Sequence, residues 1–311
     1  MKTGSPARHV GALVALAVVL LADEARASAC CMSASVTGIG RLAIWEQAAT
    51  GVLTAYGHGT GLYTASSQWR NLPEGVREDD LRFDAWALVR LAESWQVTAR
   101  VPWVVGLKSA GETSSAGAGF GDVMAGVRWD AIGLGEFAEL PGIALMATVT
   151  APTGRRPEQA FDALGATATG RGAWALSAAV AVERAVVPWF LRADAAFTWY
   201  FSFQRADTGE WQQFGPGLNV GLSGGYELKP DVWVLALVVR LDHEWPLRVD
   251  GEVLDDSSAT ALTTSLSTSV KVTPKWTLTG ALATDVLGRL GVAQNRPERL
   301  TFSLGVRYGF F

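Results

Sequence analysis

The stretch that decides the fold is the last one, residues 300–311, which reads LTFSLGVRYGFF. Every second residue from Leu300 to Phe310 is apolar, and the residues between them are small or polar. Because successive side chains of a strand point to opposite faces, this pattern predicts a strand with one apolar and one polar face. A long apolar strand at the free edge of a soluble sheet would invite aggregation, whereas in a closed barrel the last strand pairs with the first. The stretch therefore predicts the closing strand of a barrel.

The same alternation of apolar and polar residues recurs along the chain from residue 51 onward. Most of these segments are about 11 to 16 residues long, which suits a tilted strand that crosses a bilayer. A soluble β-sandwich is the alternative, but it predicts strands of about 5–6 residues. The sequence therefore predicts an all-β fold, a transmembrane antiparallel up-and-down barrel of about 12 strands. The segments that precede 300–311 are 51–65, 80–92, 95–106, 119–130, 142–152, 172–184, 188–204, 216–228, 232–245, 259–272 and 276–287.

The connections between these segments alternate in length. The second and third segments are separated only by Glu93 and Ser94, whereas the loops at 66–79 and 153–170 are long and polar. Only the connection at 131–141 is longer than the other turns. Short turns on one side and long loops on the other are typical of outer-membrane barrels, in which an even strand number leaves both termini at the periplasmic end.

Tryptophan residues follow the same alternation. One set begins strands directly after tight turns, and the other lies 8 to 12 residues further along the same strands. That spacing predicts two aromatic girdles, one at each membrane interface. The predicted girdle residues are Trp95, Trp189, Trp233 and Trp276 at one end, and Trp103, Trp199 and Trp245 at the other.

The N-terminus is predicted to be a signal peptide, residues 1–29. Lys2 and Arg8 precede an apolar run at 10–22, and Ala27-Ser28-Ala29 provides small residues for cleavage. Cleavage would make Cys30 the first residue, which leaves three alternatives for Cys30 and Cys31: a lipid-modified Cys30, a pair of thiols that binds a soft metal, or an N-terminal tether without chemistry. Residues 30–47 are predicted to be a periplasmic segment or a plug, with an extra strand as the third alternative, and residues 48–311 the barrel.

The composition excludes several functions. The 311-residue chain has a net charge of −4 and no basic run, which argues against nucleic acid as a partner. No phosphate-binding loop or zinc-ligand spacing occurs, so no cofactor or metal is predicted. After the signal peptide only His58 and His243 remain, and Thr264 and Thr268 near His243 are not serines. A Ser–His hydrolase is therefore not expected. The acidic loop at 250–256 lacks the ligand spacing of a calcium site.

The polar face of the strands is predicted to line the lumen. Inward charges number eight of each sign, which gives no single-sign ring for ion selectivity. Asp122 and Arg128 either belong to a network of ion pairs or form a polar stripe for a solute. Phe120 and Met124 also fall on the inward parity, where they either form an apolar constriction or pack against a plug. The candidate lumen-lining residues are Arg82, Trp86, Arg90, Arg100, Asp122, Arg128, Arg192, Asp194, Tyr200, Arg240, Asp242, Asp285 and Arg307.

Short motifs add a family resemblance. Gly119-Phe120-Gly121-Asp122, Gly126-Val127-Arg128 and Ala151-Pro152-Thr153-Gly154 resemble the outer-membrane transporter family of meta-pathway phenol degradation. The resemblance covers mainly residues 119–154 and implies a barrel for passive or facilitated transport of small, aromatic or hydrophobic molecules. The alternative is a structural or surface-binding barrel with a plugged lumen that conducts nothing.

The terminal strand resembles the assembly signal of outer-membrane barrels. Its aromatic residues Tyr308, Phe310 and Phe311 carry the resemblance, although Phe311 lies one residue beyond the alternating series. The resemblance implies the barrel assembly machinery and outer-membrane lipid as partners, besides a small-molecule solute that the sequence does not identify. The expected location is the outer membrane of a Gram-negative bacterium.

Overall fold

The structure is a computed structural model that describes residues 40–311. The predicted signal peptide and residues 30–39, including Cys30, lie outside the described residues. Residues 40–311 contain twelve long antiparallel strands that form one closed sheet. These barrel strands are β1 (Ala48–Tyr63), β2 (Val76–Ala92), β3 (Trp95–Ala110), β4 (Val123–Ile132), β5 (Gly142–Ala151), β6 (Ala175–Val186), β7 (Trp189–Tyr200), β8 (Gly217–Lys229), β9 (Trp233–Glu244), β10 (Ala259–Lys271), β11 (Trp276–Thr284) and β12 (Arg296–Phe310).

The barrel closes between its first and last strands. β12 pairs with β11 on one side and with β1 on the other, so that Ala48 lies opposite Phe310 and Tyr63 opposite Arg296. Each of the other barrel strands pairs with its neighbours along the chain. The closing role predicted for residues 300–311 is therefore confirmed, and the strand begins four residues earlier than the pattern indicated.

The two ends of the barrel differ. The turn end carries the short connections, such as the one between Ala92 and Trp95, together with the start of β1 and the end of β12. The loop end carries the long connections, which form short strands of their own. Trp69–Asn71 pairs with the end of β1, Thr113–Phe120 pairs with β3, and a small sheet combines Phe203–Gln204, Trp211–Gln213, Arg248–Val249 and Glu252–Val253. No helix within residues 40–311 is long and apolar enough to cross a membrane.

The two faces of the sheet are chemically opposite. Leu304 on the outer face is 73% exposed, whereas Arg128 on the inner face is only 1% exposed. Large apolar side chains such as Leu222, Leu237 and Phe302 likewise stand exposed on the outside. A soluble protein would bury such residues and expose its charges, so this arrangement is that of a barrel surrounded by lipid.

One predicted strand is wrong. The segment 119–130 is not continuous, because one strand ends at Phe120 and β4 begins at Val123. β3 pairs Trp103 with Phe120 but Arg100 with Met124, so the register shifts by one residue between the two pairs. A shift of one residue exchanges the two faces of a strand. Phe120 is therefore 57% exposed and packs edge-on against Trp103 on the outer surface, not in the lumen.

The facing of β12 can be tested with two neighbouring residues. Leu304→Arg places a charge against the bilayer midplane and should lower the free energy of unfolding by roughly 2–4 kcal/mol. Ser303→Arg is the matched control, because its side chain points inward between Ala55 and Ala281 and should cost less than half as much. The measurement is urea-dependent folding into phospholipid vesicles. Equal losses in the two variants would contradict the assigned faces.

Candidate functional site in the barrel lumen

A repeated tripeptide supplies eight of the charges of the inner wall. An arginine is followed two residues later by an aspartate on β2, β4, β7 and β9. Residues i and i+2 of a strand share a face, so the guanidinium can reach the carboxylate. The four pairs on the inner wall, from Arg Nε to the nearer Asp Oδ, are Arg82–Asp84 at 2.9 Å, Arg128–Asp130 at 2.8 Å, Arg192–Asp194 at 2.9 Å and Arg240–Asp242 at 2.9 Å.

Glu183 on β6 is the centre of the largest charge cluster. Its carboxylate accepts hydrogen bonds from Arg128 at 3.0 Å, from Arg192 at 2.9 Å and from Arg41 at 3.2 Å. The glutamate is 8% exposed, and the side chains of Arg128 and Arg192 are almost fully buried. Buried charges are stable only when they are paired, and here one carboxylate serves three arginines.

Residues 41–46 cross the lumen at the turn end. Arg41 bonds to Glu183 on β6, while the carboxylate of Glu46 accepts hydrogen bonds from both terminal nitrogens of Arg307 on β12. β6 and β12 lie six strands apart in the closed sheet, on opposite sides of the barrel. Between these anchors, the Leu42 N–H donates to Gln96 Oε1 at 3.0 Å and the Leu42 side chain is buried.

Two predicted lumen residues hold this segment. Arg90 donates to the carbonyl oxygens of Glu46 at 2.9 Å and Ala43 at 2.6 Å. Trp86 packs against the apolar cluster that Leu42 forms with Ala49 and Leu88. Trp45 stays exposed at the turn end, with the ammonium group of Lys271 5.7 Å from its ring. Glu46 was not among the predicted site residues, because residues 40–47 show no strand periodicity that would assign a face.

Asp122 fastens a loop instead of pairing with Arg128. Its carboxylate accepts the backbone N–H groups of Gly154 at 2.9 Å and Arg171 at 2.7 Å. These residues stand near the two ends of the β5–β6 connection, so one side chain holds both ends of that loop. Thr153 supports the same junction by donating its hydroxyl to the Gly121 carbonyl at 2.7 Å. Asp122, Thr153 and Gly154 of the sequence motifs therefore anchor the loop.

The loop held by Asp122 lies against the inner wall. A Cβ on Gly106 would lie 2.6 Å from the Ala166 oxygen, and a Cβ on Gly117 would lie 2.5 Å from the Thr167 Cα. Only glycine allows so close an approach of two backbones. Within the loop, the Thr167 hydroxyl and the N–H groups of Ala166 and Thr167 hold the pKa of Asp162 well below its usual range. The loop stays ordered by these bonds and narrows the lumen.

A cavity of about 180 Å³ remains between this loop and the wall. Tyr200, a predicted lumen residue, accepts a hydrogen bond from Arg171 at 2.8 Å, and the Arg171 guanidinium also stacks 4.5 Å from the Phe214 ring. Asp285, also predicted, accepts the Thr263 hydroxyl at 2.6 Å at the loop end. The cavity is lined by Arg100, Asp122, Met124, Thr148, Thr150, Arg171, Ala173, Ala175, Ser177, Ala196, Thr198, Tyr200 and Asn219.

The predicted girdle tryptophans all lie on the outer surface. Trp95 stacks on Trp129, with ring centroids 5.8 Å apart, and Trp129 was not predicted as a girdle residue. The other predicted tryptophans at the turn end are similarly exposed. The Tyr308 ring packs edge-on against both Trp276 and Phe310, at 4.8 Å in each case, while Phe311 follows β12 and is exposed. Each predicted girdle residue has an exposed ring, namely Trp95, Trp103, Trp189, Trp199, Trp233, Trp245 and Trp276.

The two histidines of the described chain have simple contacts. His58 Nδ1 lies 2.6 Å from Asp79 Oδ1, and His243 Nδ1 lies 2.9 Å from the Thr260 hydroxyl. Within residues 40–311, no group of three or more His, Cys, Asp and Glu side chains is placed to hold a metal ion.

Comparison with known structures agrees with this barrel. An outer membrane channel from Pseudomonas putida F1 superimposes with a TM-score of 0.70 at 16% sequence identity, over 86% of this chain and 97% of that one. The likeness confirms the predicted fold, a barrel of the class found in the outer membranes of Gram-negative bacteria.

Weaker likenesses are to the NanC porin and to an autotransporter domain. The NanC porin has a TM-score of 0.49 at 10% identity, over 84% of this chain and all of that one. The translocator domain of the autotransporter NalP from Neisseria meningitidis has a TM-score of 0.47 at 12% identity, over 85% and 88%. No protein-family model and no curated protein sequence matches the chain.

The Glu183 cluster predicts a large loss of stability on removal of one charge. Glu183→Gln leaves three arginines short of one carboxylate, so the free energy of unfolding should fall by about 3–5 kcal/mol. Asp207→Asn is the control, because it removes a carboxylate from the exposed Arg205–Asp207 pair, where solvent screens the charges and the loss of stability should be small. Urea titration in detergent micelles measures both. A Glu183→Gln loss as small as that of the control would show that the cluster is not stabilising.

Proposed function

We propose that the protein is an outer-membrane channel for passive or facilitated passage of small molecules. The observation that carries the proposal is the lumen itself, a closed barrel with a polar inner wall and a cavity of about 180 Å³ beside the wall. The exposed apolar side chains of the outer face suit outer-membrane lipid as the surrounding medium. The likeness to a solved outer membrane channel supports the fold that this function requires.

The constrictions limit the size of the solute. Residues 41–46 narrow the turn end, and the loop anchored by Asp122 narrows the loop end. A cavity of this size is smaller than the ~300–1,000 Å³ pockets that hold drug-sized ligands. We therefore infer a solute of a few non-hydrogen atoms up to about one ring.

An aromatic or hydrophobic solute is the finer part of the proposal. The rings of Tyr200 and Phe214 flank Arg171 near the cavity, and Met124 and Ala196 provide apolar surface. Aromatic faces and methionine sulfur both favour contact with other rings. The family resemblance in residues 119–154 points in the same direction.

A barrel that conducts nothing is the second candidate. The observation in its favour is the bonding of residues 41–46 to the wall on both sides, through Glu183 and Arg307. If this segment never leaves, the long loops would be the functional surface.

Planar-bilayer conductance separates the two candidates. The wild-type protein should give small single-channel steps, and deletion of residues 41–46 should enlarge them because the segment occupies the turn end. Deletion of residues 206–209, in an exposed loop, is the control and should leave the steps unchanged. Absence of steps in both the wild type and the 41–46 deletion would favour the non-conducting barrel. Equal steps in these two would show that the segment does not limit the pore.

We also propose that Tyr308, Phe310 and Phe311 serve barrel assembly by the cellular machinery. The position of these residues supports the proposal, because Tyr308 lies on the closing strand and pairs with Thr50 on β1 and Trp276 on β11. Deleting residues 308–311 should leave export intact and block insertion, so that the chain is degraded in the periplasm. Cell fractionation and heat-modifiable gel mobility measure this. A truncated chain that inserts and stays heat-modifiable would contradict an assembly role.

A further inference from the structure

Arg100 is the exception among the inward arginines of the described barrel. The others are paired, with aspartates in the repeated tripeptide, with Glu46 for Arg307, or with backbone carbonyls for Arg90. Within residues 40–311, Arg100 forms no ion pair, and its buried Nε has no hydrogen-bond partner. The nearby carboxylate of Asp84 is already bonded to Arg82 at 2.9 Å.

An unpaired guanidinium is unusual in such a place. A charge removed from water is costly unless an opposite charge or several hydrogen bonds compensate it. The planar guanidinium presents its donors as a fork that matches the two oxygens of a carboxylate. An anion that enters the lumen would therefore supply Arg100 with the ion pair that no carboxylate of residues 40–311 forms with it.

The surroundings of Arg100 indicate the rest of the ligand. Arg100 lines the 180 Å³ cavity together with the hydroxyl groups of Thr148, Thr150 and Ser177. The carboxylates beside the cavity already have partners, and one of them, Asp242, is bonded to Arg240 and to the lining residue Asn219. Asp122, on its wall, accepts two backbone N–H groups, and Glu244 is bonded to the guanidinium of Arg171, another lining residue. None of these carboxylates bonds to Arg100. Because Glu244 pairs with both Arg171 and Arg296, the charged groups around the cavity include more guanidinium groups than carboxylates.

The remaining lining is apolar. Met124, Ala173, Ala175 and Ala196 share the cavity with the Tyr200 ring. A cavity of about 150 Å³ is large enough to hold benzene, so 180 Å³ suits a single ring with a small substituent. An anion without an apolar body, such as chloride, would leave this part of the wall unused.

We propose that Arg100 is the anion-binding residue of a luminal site for small organic carboxylates with an apolar body of about one ring. This inference rests on the proposed channel function for its role in transport, and it names the class of solute that the channel would select. The guanidinium would hold the carboxylate, the hydroxyl groups would take the remaining oxygen lone pairs, and the alanines and Met124 would cover the ring.

Binding of benzoate to the folded barrel in detergent micelles tests the proposal. Isothermal titration calorimetry should show benzoate binding to the wild type, with weaker or no binding of the neutral isostere benzamide. Arg100→Gln should weaken benzoate binding roughly ten- to a hundredfold, as expected for loss of a charged hydrogen bond. Arg100→Lys should retain part of the affinity, because it keeps the charge but loses the fork.

The control is Arg205→Gln, which removes the same charge from an exposed loop residue paired with Asp207. It should leave benzoate binding unchanged. Heat-modifiable gel mobility establishes that each variant is folded before titration. No benzoate binding to the wild type would overturn the proposal, as would equal binding to the wild type and Arg100→Gln.

Failure of the proposed channel function can be distinguished from failure of the proposed binding site. Binding in micelles does not need a conducting pore, so benzoate can bind even if planar bilayers show no steps. Conversely, the wild type could give conductance steps that benzoate does not alter and also bind no benzoate. That result would contradict the binding site and support the channel. Equal affinity for benzoate and benzamide would show that the carboxylate is not recognised, which also overturns the proposal.

Discussion

The structure depends on the pairing of β1 with β12. Inside a bilayer, backbone N–H and C=O groups have no water to bond with, so a sheet can cross only if it has no free edge. The register that sets Ala48 opposite Phe310 and Tyr63 opposite Arg296 removes that edge along the whole seam. Once the sheet is closed, each strand has one face toward lipid and one toward the lumen. The remaining features of the barrel follow from that division.

Charges fill the lumen because lipid surrounds the outside. The free-energy cost of burying these charges is offset because they are paired. An arginine and an aspartate two residues apart pair on one strand, and Glu183 pairs with arginines of other strands. The segment 41–46 is held by the same kind of ion pair, since Arg41 bonds to Glu183 and the carboxylate of Glu46 pairs with Arg307. Pairing therefore stabilises the wall and narrows the lumen at the same time. Arg100, which forms no ion pair within residues 40–311, is the residue that we propose to bind a solute.

Strand positions could be read from the sequence because the two faces of the sheet differ so strongly. β5 and β10 begin at the residues that alternation indicates, and β8 and β9 begin one residue later. The inward side chains on these strands follow directly, since parity fixes the face. The prediction from alternation failed where the inward and outward positions of a strand exchange while the pattern of apolar and polar residues stays the same. At Gly121 the register shifts by one residue, and Phe120 moved from the expected lumen to the outer surface beside Trp103.

Contacts between distant segments could not be read from periodicity. Asp122 lies in a motif that the sequence singled out, yet its partners are N–H groups of Gly154 and Arg171, which only the fold brings together. Glu46 lies in a stretch without alternation, so its bond to Arg307 had no local signal. The arginine-aspartate tripeptide was visible in the sequence, and its recurrence at Arg128-Trp129-Asp130 could have identified Asp130. The role of Glu183 as a common acceptor could not be predicted, because it depends on the register of β6 with the neighbouring strands.

The most direct test of the account is a disulfide across the seam. In a chain with Cys30 and Cys31 replaced by serine, Ala55→Cys and Ser303→Cys lie directly opposite on β1 and β12. Opposed strand residues are about 4.5–5.5 Å apart between Cα atoms, within the range that a disulfide spans. Oxidation should crosslink this pair nearly completely, while Ala55→Cys with Leu304→Cys, whose side chains point to opposite faces, should stay reduced. Crosslinking of the shifted pair, or none in the opposed pair, would contradict the closure.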